Sequence, residues 1–172
     1  MARVYLSLGS NIRREHYISS CLDGLAHRFG ELDISSVYES EAVGFDGDPF
    51  FNLVVGLETE LALDPLFEFL RETEHAHDRC RKAAKFSART LDIDILTYDD
   101  YVGPFAGGEL PREEITRNAF VLWPLAEIAA DLRHPGLGIR YGQLWANYDK
   151  SRQALWPVSF VWQGRELLRY TA

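Results

Sequence analysis

The spacing of apolar positions changes period several times along the chain, and each change marks an element. ARVYLSLG alternates and predicts a first strand, which Gly9, Ser10 and Asn11 turn into a helix from about Arg14 to Phe29. In that helix Ile18, Leu22, Leu25 and Phe29 share one face, which is a core face. LDISSVYES predicts a second strand, and EAVGFDGDP after it is an irregular loop suited to binding. FFNLVVGLETEL is a third strand, and Asp64-Pro65 marks a helix start, an N-cap followed by proline at the first helical position, with the helix running to about Asp78. A basic loop leads to the strand TLDIDILTY, a glycine-rich loop around GPFAGGELP, a helix from about Asn118 to Ala130 and a short helical piece from Tyr141 to Asn147. The tail from Leu155 to Tyr170 alternates again and adds an edge strand. The order β-α-β-β-α-β plus helices predicts an α+β sandwich in one domain over residues 1–172, an antiparallel sheet with helices packed on one face.

One segment breaks the apolar logic. In SARTLDIDIL, Leu91, Ile93 and Ile95 fall on one face of a strand, while Asp92, Asp94 and Leu96 fall on the other. Same-face neighbours in a strand lie roughly 6–7 Å apart, and two partly buried carboxylates at that spacing raise each other's pKa unless a cation neutralises them. A divalent metal does so. Just before the pair, Arg79, Arg81, Lys82, Lys85 and Arg89 crowd into eleven positions. The chain as a whole is acidic, with 26 Asp and Glu against 18 Lys and Arg and a net charge of -8. That balance argues against a nucleic-acid binder, whereas a local basic excess suits a polyphosphate partner.

Composition adds little else. The 172 residues suffice for one domain without staples, and two cysteines, Cys21 and Cys80, fit a reducing, cytoplasmic setting better than a disulfide framework. MARVYLSLGSN looks like a strand and not a signal peptide, and no segment is long and apolar enough to span a bilayer. His75 and His77, two apart on a helix, face different directions and make a surface pair, not a metal site. The four tryptophans are packing residues.

LGSN, Asn52 in FFNLVV, Glu74, the basic loop, ART-LDIDIL and AFVLWPLAEIA, in this order and spacing over roughly residues 2 to 135, resemble the 6-hydroxymethyl-7,8-dihydropterin pyrophosphokinase family of the folate pathway. The resemblance implies a ferredoxin-like fold. It implies two Mg2+ ions on Asp92 and Asp94, ATP as co-substrate, and attack of the pterin hydroxymethyl oxygen on the β-phosphorus with release of AMP. Arg79 and Arg89 match the family's catalytic arginines, Arg81 and Lys85 further basic loop positions, and Glu74 and Arg112 positions at the ATP end. Phe50 and Phe120 match two rings that sandwich the pterin, Asn52 an amide that reads its edge, and the backbone from Ser40 to Val43 a contacting loop.

The chain departs from the family at several positions. Arg112 follows Pro111 where a histidine is usual, Asn118 replaces an arginine with Arg117 one place earlier, Ala88 replaces a proline, Phe86 a tryptophan, and Glu41-Ala42 a proline-rich stretch. A divergent member of the fold, binding ATP and Mg2+ with another acceptor, is the alternative. Nucleotidyltransferases share a G-S and D-x-D outline, but here two strands and two helices separate the pieces. A non-enzymatic binding module is disfavoured by the acidic pI of about 5.1. The expected partners are ATP and a pterin, with no nucleic acid and no membrane, and the expected state is a monomer or weak homodimer.

Overall fold

The computed structural model describes residues 1–41, 48–78 and 90–169. Its elements are β1 (Ala2–Ser10), α1 (Arg14–Phe29), β2 (Asp33–Ile34), β3 (Val37–Ser40), β4 (Phe50–Thr59), α2 (Leu63–Ala76) and β5 (Asp92–Tyr98). There follow β6 (Gly103–Phe105), β7 (Gly108–Leu110), α3 (Glu114–Arg117), α4 (Ala119–Ala129), α5 (Tyr141–Asn147), β8 (Leu155–Val158), β9 (Val161–Trp162) and β10 (Arg165–Glu166). The main sheet has the order β5-β1-β4-β3-β8, with β2 also on β4, and every pairing in it is antiparallel.

Period-two alternation splits the sheet into two apolar faces. Val4, Leu6, Leu8, Leu53, Val55, Ile93 and Ile95 meet Ile18, Leu22 and Leu25 of α1 and Leu66 and Leu70 of α2. Tyr5, Val54 and Leu96 point the other way and meet Val121, Leu122, Leu125 and Ala126 of α4. The expectation of helices on one face is therefore corrected: both faces are covered. The physical reason is that Tyr5, Val54 and Leu96 are themselves large and apolar, so the second face needs a lid, and AFVLWPLAEIA is apolar nearly all round.

The helix at Asp64-Pro65 also starts earlier than expected. Ala62 is the N-cap and Pro65 the third helical residue, where its missing N–H leaves no helical bond unmade. The Asp64 carboxylate instead accepts from the N–H of Ala106, in the β6–β7 turn, at 3.3 Å.

LDISSVYES is split by a bulge at Ser35–Ser36, where the register against β4 slips by one residue between Ile34↔Val55 and Tyr38↔Asn52. The Ser35 hydroxyl enters the ladder, accepting from Val54 N–H at 2.9 Å. Glu127 of α4 takes the displaced groups: it accepts from Ser36 N–H, from Ser36 Oγ at 2.9 Å and from Tyr38 OH at 3.0 Å. A slip of one residue exchanges faces. Ile34 and Val37 thus both face α1, and Tyr38 and Ser40 are turned toward α4.

The tail extends the sheet as expected, with β8 on the outer edge of β3. Trp162 donates to Asp23 at 2.9 Å, and Arg169 grips the β2 end through Ser36 Oγ, Ile34 O and Asp33. Trp123, Trp145 and Trp162 pack, whereas Trp156 is largely exposed. Among the described residues no helix is long and apolar enough to cross a membrane.

Glu127→Ala removes the acceptor for three donors, one of them a backbone N–H at a bulge. The expected cost is roughly 2–3 kcal/mol of stability, read as a lower urea midpoint with unchanged slope. Retention of the wild-type midpoint would mean that the bulge stands without Glu127.

Candidate active site

Because faces alternate along the strands at this end of the sheet, the register alone brings the chemistry-bearing residues together. Asp92 of β5 lies opposite Gly9 of β1, Gly9 opposite Asn52 of β4, and Asn52 opposite Tyr38 of β3. This row crosses four strands on the α4 face. With strands about 4.8 Å apart, Asp92 and Asn52 stand about 10 Å from each other across the glycine. Gly9 leaves that interval open: a Cβ there would come within 3.1 Å of Asn52 Oδ1 and 3.9 Å of the Phe50 ring. In the next row Asp94 lies opposite Ser7.

Asp94 is the strained group. Burial first, and the neighbouring Asp92 second, push its carboxyl up to about 8; Arg112 acts in the opposite direction, and Glu114 and Glu74 add to the rise. Its side chain keeps 28% exposure, so the carboxylate is shielded but reachable.

The strand bearing the pair is an edge strand, and its free edge is pinned on both sides of Asp94. Ile93, opposite Leu8, has its N–H directed away from β1 and donates to Glu74 Oε2 at 2.9 Å. Glu74 is only 2% exposed and supplies the acceptor that a further strand would have given. Its carboxylate is thus turned into the strand edge and away from open solvent, where it fixes the strand that carries the aspartates. Three residues on, the Leu96 carbonyl accepts from Arg112 N–H at 2.9 Å. The Arg112 guanidinium then reaches Asp94 Oδ1 at 3.5 Å and is also held by Glu114 through Nε.

At the other end of the row Asn52, 6% exposed, donates from Nδ2 to Ser40 Oγ at 3.0 Å. Phe50 begins β4 opposite Ser40 and is half-buried. α4 runs antiparallel to β3, with Glu127 over Ser36 and the Trp123 ring 4.6 Å from that of Tyr38. At 1.5 Å per helical residue this sets half-buried Phe120 near the level of Ser40, at the Phe50 end. Ahead of α4, Asn118 and the Ala119 N–H are tied to the Gln153 amide.

Asp92, Asp94, Arg112, Glu74, Ser40, Phe50, Asn52 and Phe120 are thus gathered at one end of the sheet, all but Glu74 on the α4 side. Val43, Arg79, Arg81, Lys85 and Arg89 lie outside the described residues, as do Phe86, Ala88 and Cys80. Arg117 is largely exposed and paired with Glu113. His77 bonds Thr73 O and Ser20 Oγ, His75 is exposed, and no group of three or more potential metal ligands occurs among the described residues. Sequence reasoning missed Ser7 and Glu114. Ser7 was visible as the polar member of the Tyr5, Ser7, Gly9 alternation, but nothing local in the sequence signals Glu114.

Residues 5–130 match the family model of 7,8-dihydro-6-hydroxymethylpterin-pyrophosphokinase (HPPK). A 2-amino-4-hydroxy-6-hydroxymethyldihydropteridine pyrophosphokinase of Porphyromonas gingivalis is 37% identical over 141 residues, covering 78% of this chain and 95% of that one. The protein of the same name from Aquifex aeolicus is 36% identical over 138 residues, covering 78% and 85%. Among solved structures, an HPPK-DHPS in complex with substrates superimposes with a TM-score of 0.68 at 12% identity over 87% of this chain, and Plasmodium falciparum HPPK-DHPS A437G with 0.63 at 14% over 86%. At those identities the likeness is one of fold, and this chain spans only 44% and 42% of those longer chains. The family model's span and the identity to these relatives establish that the chain belongs to the 7,8-dihydro-6-hydroxymethylpterin-pyrophosphokinase family.

Proposed function

We propose that the chain transfers the pyrophosphoryl group of ATP to 6-hydroxymethyl-7,8-dihydropterin, as a single pyrophosphokinase-like unit on a ferredoxin-like frame. Family membership supports the reaction, and the sheet order β5-β1-β4-β3 supports the frame. The observation that carries the assignment to particular residues is the row Asp92, Gly9, Asn52, Tyr38, which sets a carboxylate pair and an amide about 10 Å apart across a glycine floor.

The two ends suit two different ligands. Asp92 and Asp94 offer only hard oxygen donors, and a divalent cation offsets both the burial and the repulsion that raise Asp94, so the pair fits Mg2+, taken as two ions. When bound, Mg2+ neutralises charge on the phosphates as a Lewis acid. Phosphate oxygens and water complete such a site, in keeping with the small number of protein ligands. Arg112 stands beside the carboxylates, where a guanidinium can pair with phosphate oxygens two at a time. At the other end the Asn52 amide, oriented by Ser40, reads the edge of a flat heterocycle, and Phe50 and Phe120 supply apolar faces for it. The hydroxymethyl oxygen attacks the β-phosphorus of ATP and gives up its proton to water, the bond from that phosphorus to the α–β bridging oxygen breaks, and AMP leaves with that oxygen.

The direct test is incubation with Mg-ATP, with and without hydroxymethyldihydropterin. AMP is expected only with the pterin. AMP formed equally without it, or with an unrelated alcohol instead, would overturn the acceptor.

Asp94→Asn is expected to abolish turnover while stabilising the metal-free protein at alkaline pH. The sign follows from the raised carboxyl: its folded-state value of about 8 lies above the unfolded one near 4, so its contribution is fully present below about pH 4 and is lost as pH rises through 8. Thermal midpoints from pH 6 to 9 without divalent cation should fall less in the variant than in the wild type. Mg2+ added together with a non-hydrolysable ATP analogue should flatten the wild-type curve only. Parallel curves with the analogue alone and with the analogue plus Mg2+ would reject the carboxylate pair as the metal site.

Asn52→Ala leaves partner groups on the ring unpaired, at roughly 1–3 kcal/mol. Calorimetry with hydroxymethylpterin and a non-hydrolysable ATP analogue should show pterin binding weakened about tenfold or more, with the nucleotide affinity within a factor of two. Equal loss for both ligands would instead indicate a collapsed sheet face.

A further inference from the structure

Resting on the proposed metal role of Asp92 and Asp94, we infer that Arg112 is a resident counter-cation of the carboxylate pair, which keeps divalent metal out until nucleotide phosphate draws the guanidinium away. Three contacts build the device. The Arg112 backbone is fastened to the same strand as the aspartates, by its N–H on Leu96 O at 2.9 Å. Its guanidinium is anchored by Glu114 through Nε, and its far nitrogen faces Asp94 Oδ1 at 3.5 Å.

The distances decide what this arrangement does. Charge-assisted N–H···O bonds close to about 2.7–2.9 Å, so 3.5 Å is attraction without a full hydrogen bond. The guanidinium is held by Glu114 and only leans on Asp94. Mg2+ sits about 2.0–2.1 Å from a carboxylate oxygen, and two cations at such distances from Oδ1 repel strongly in a shielded site. Metal binding therefore requires Arg112 to turn aside. A nucleotide supplies the reason to turn, since phosphate oxygens accept the same planar fork, and the Glu114 anchor keeps the guanidinium within reach. Arginine suits this better than a compact ammonium, because one fork spans two carboxylates and later a phosphate. Metal and nucleotide consequently load together, and free metal loads poorly.

The groups around Asp94 support the balance. Asp92, Glu74 and Glu114 all bear on it with negative charge, and Arg112 is the cation that opposes them among the described residues. The Arg117–Glu113 pair lies close in sequence but is largely exposed, which makes Arg117 a control for simple through-space charge.

The test is Mn2+ binding followed by electron paramagnetic resonance, with no nucleotide and with a non-hydrolysable ATP analogue. Arg112→Gln is expected to tighten nucleotide-free Mn2+ binding about tenfold and to weaken the analogue. Glu114→Gln frees the guanidinium to close on Asp94 and is expected to weaken nucleotide-free Mn2+ binding at least threefold. Arg117→Ala should stay within twofold of the wild type. Circular dichroism of each variant verifies folding, and should Arg112→Gln misfold, Arg112→Met, which keeps the stem and loses the charge, takes its place with the same expected tightening. Unchanged nucleotide-free Mn2+ affinity in both variants, with Mn2+ still bound tightly beside the analogue, overturns the counter-cation and leaves the metal site standing. No Mn2+ bound to the wild type even with the analogue overturns the metal site, and the counter-cation with it.

Discussion

Two like charges on the edge of a sheet are the constraint to which the rest of the site answers. A strand end with two carboxylates on one face and isoleucines on the other is pulled by solvation in one direction and by burial in the other. Edge position makes this worse, because an unpaired edge lets the strand twist and shift. The protein answers with two backbone contacts that replace the missing neighbour: Glu74 on the Ile93 N–H, and the Arg112 N–H on the Leu96 carbonyl. They bracket Asp94. The carboxylate whose ionisation is opposed by burial and by Asp92 thus sits between two fixed points of the edge.

The second constraint is parity. A sheet that buries apolar residues on both faces has little room for a polar site, so the site occupies the end where the α4 face carries Ser7, Gly9, Asn52 and Ser40 in place of large side chains. Ser40 belongs to that face only because of the bulge at Ser35–Ser36. Without it, Tyr38 and Ser40 would follow Ile34 onto the α1 face, and Asn52 would lose the hydroxyl that accepts from its amide. Glu127, a half-buried carboxylate far from the aspartates in sequence, therefore acts on the site through the backbone: it holds the extra residue that sets the face of everything after it.

Much of this was legible in the sequence, because period two and period 3.6 are local signals. The alternation LDIDIL foretold that Asp92 and Asp94 share a face, and α1 and α5 begin and end where their patterns do. What escaped was non-local. The bulge in LDISSVYES is held by a helix that starts more than eighty residues later, and no propensity in the segment announces it. The second helical layer was hidden for a related reason: Tyr5, Val54 and Leu96 occupy the face that alternation marks as outward, and only their size says that something must cover them. Asp64-Pro65 has the composition of a helix cap, but its carboxylate met a better-placed donor in the β6–β7 turn.

Arg112 shows how one substitution against a family pattern is read through geometry. By sequence it is a basic residue where histidine is usual, and the bare exchange says only that the position stays cationic or becomes more so. The structure adds that the side chain is shared between Glu114 and Asp94, and that its own backbone fastens the strand Asp94 belongs to. A histidine ring has neither the reach of a guanidinium nor its fixed charge at neutral pH. Replacing one by the other therefore puts a permanent cation beside Asp94 in the ligand-free protein. The like-charge pair that would otherwise oppose its own burial is then partly compensated before any ligand arrives, and the site can be held in shape with neither metal nor nucleotide present.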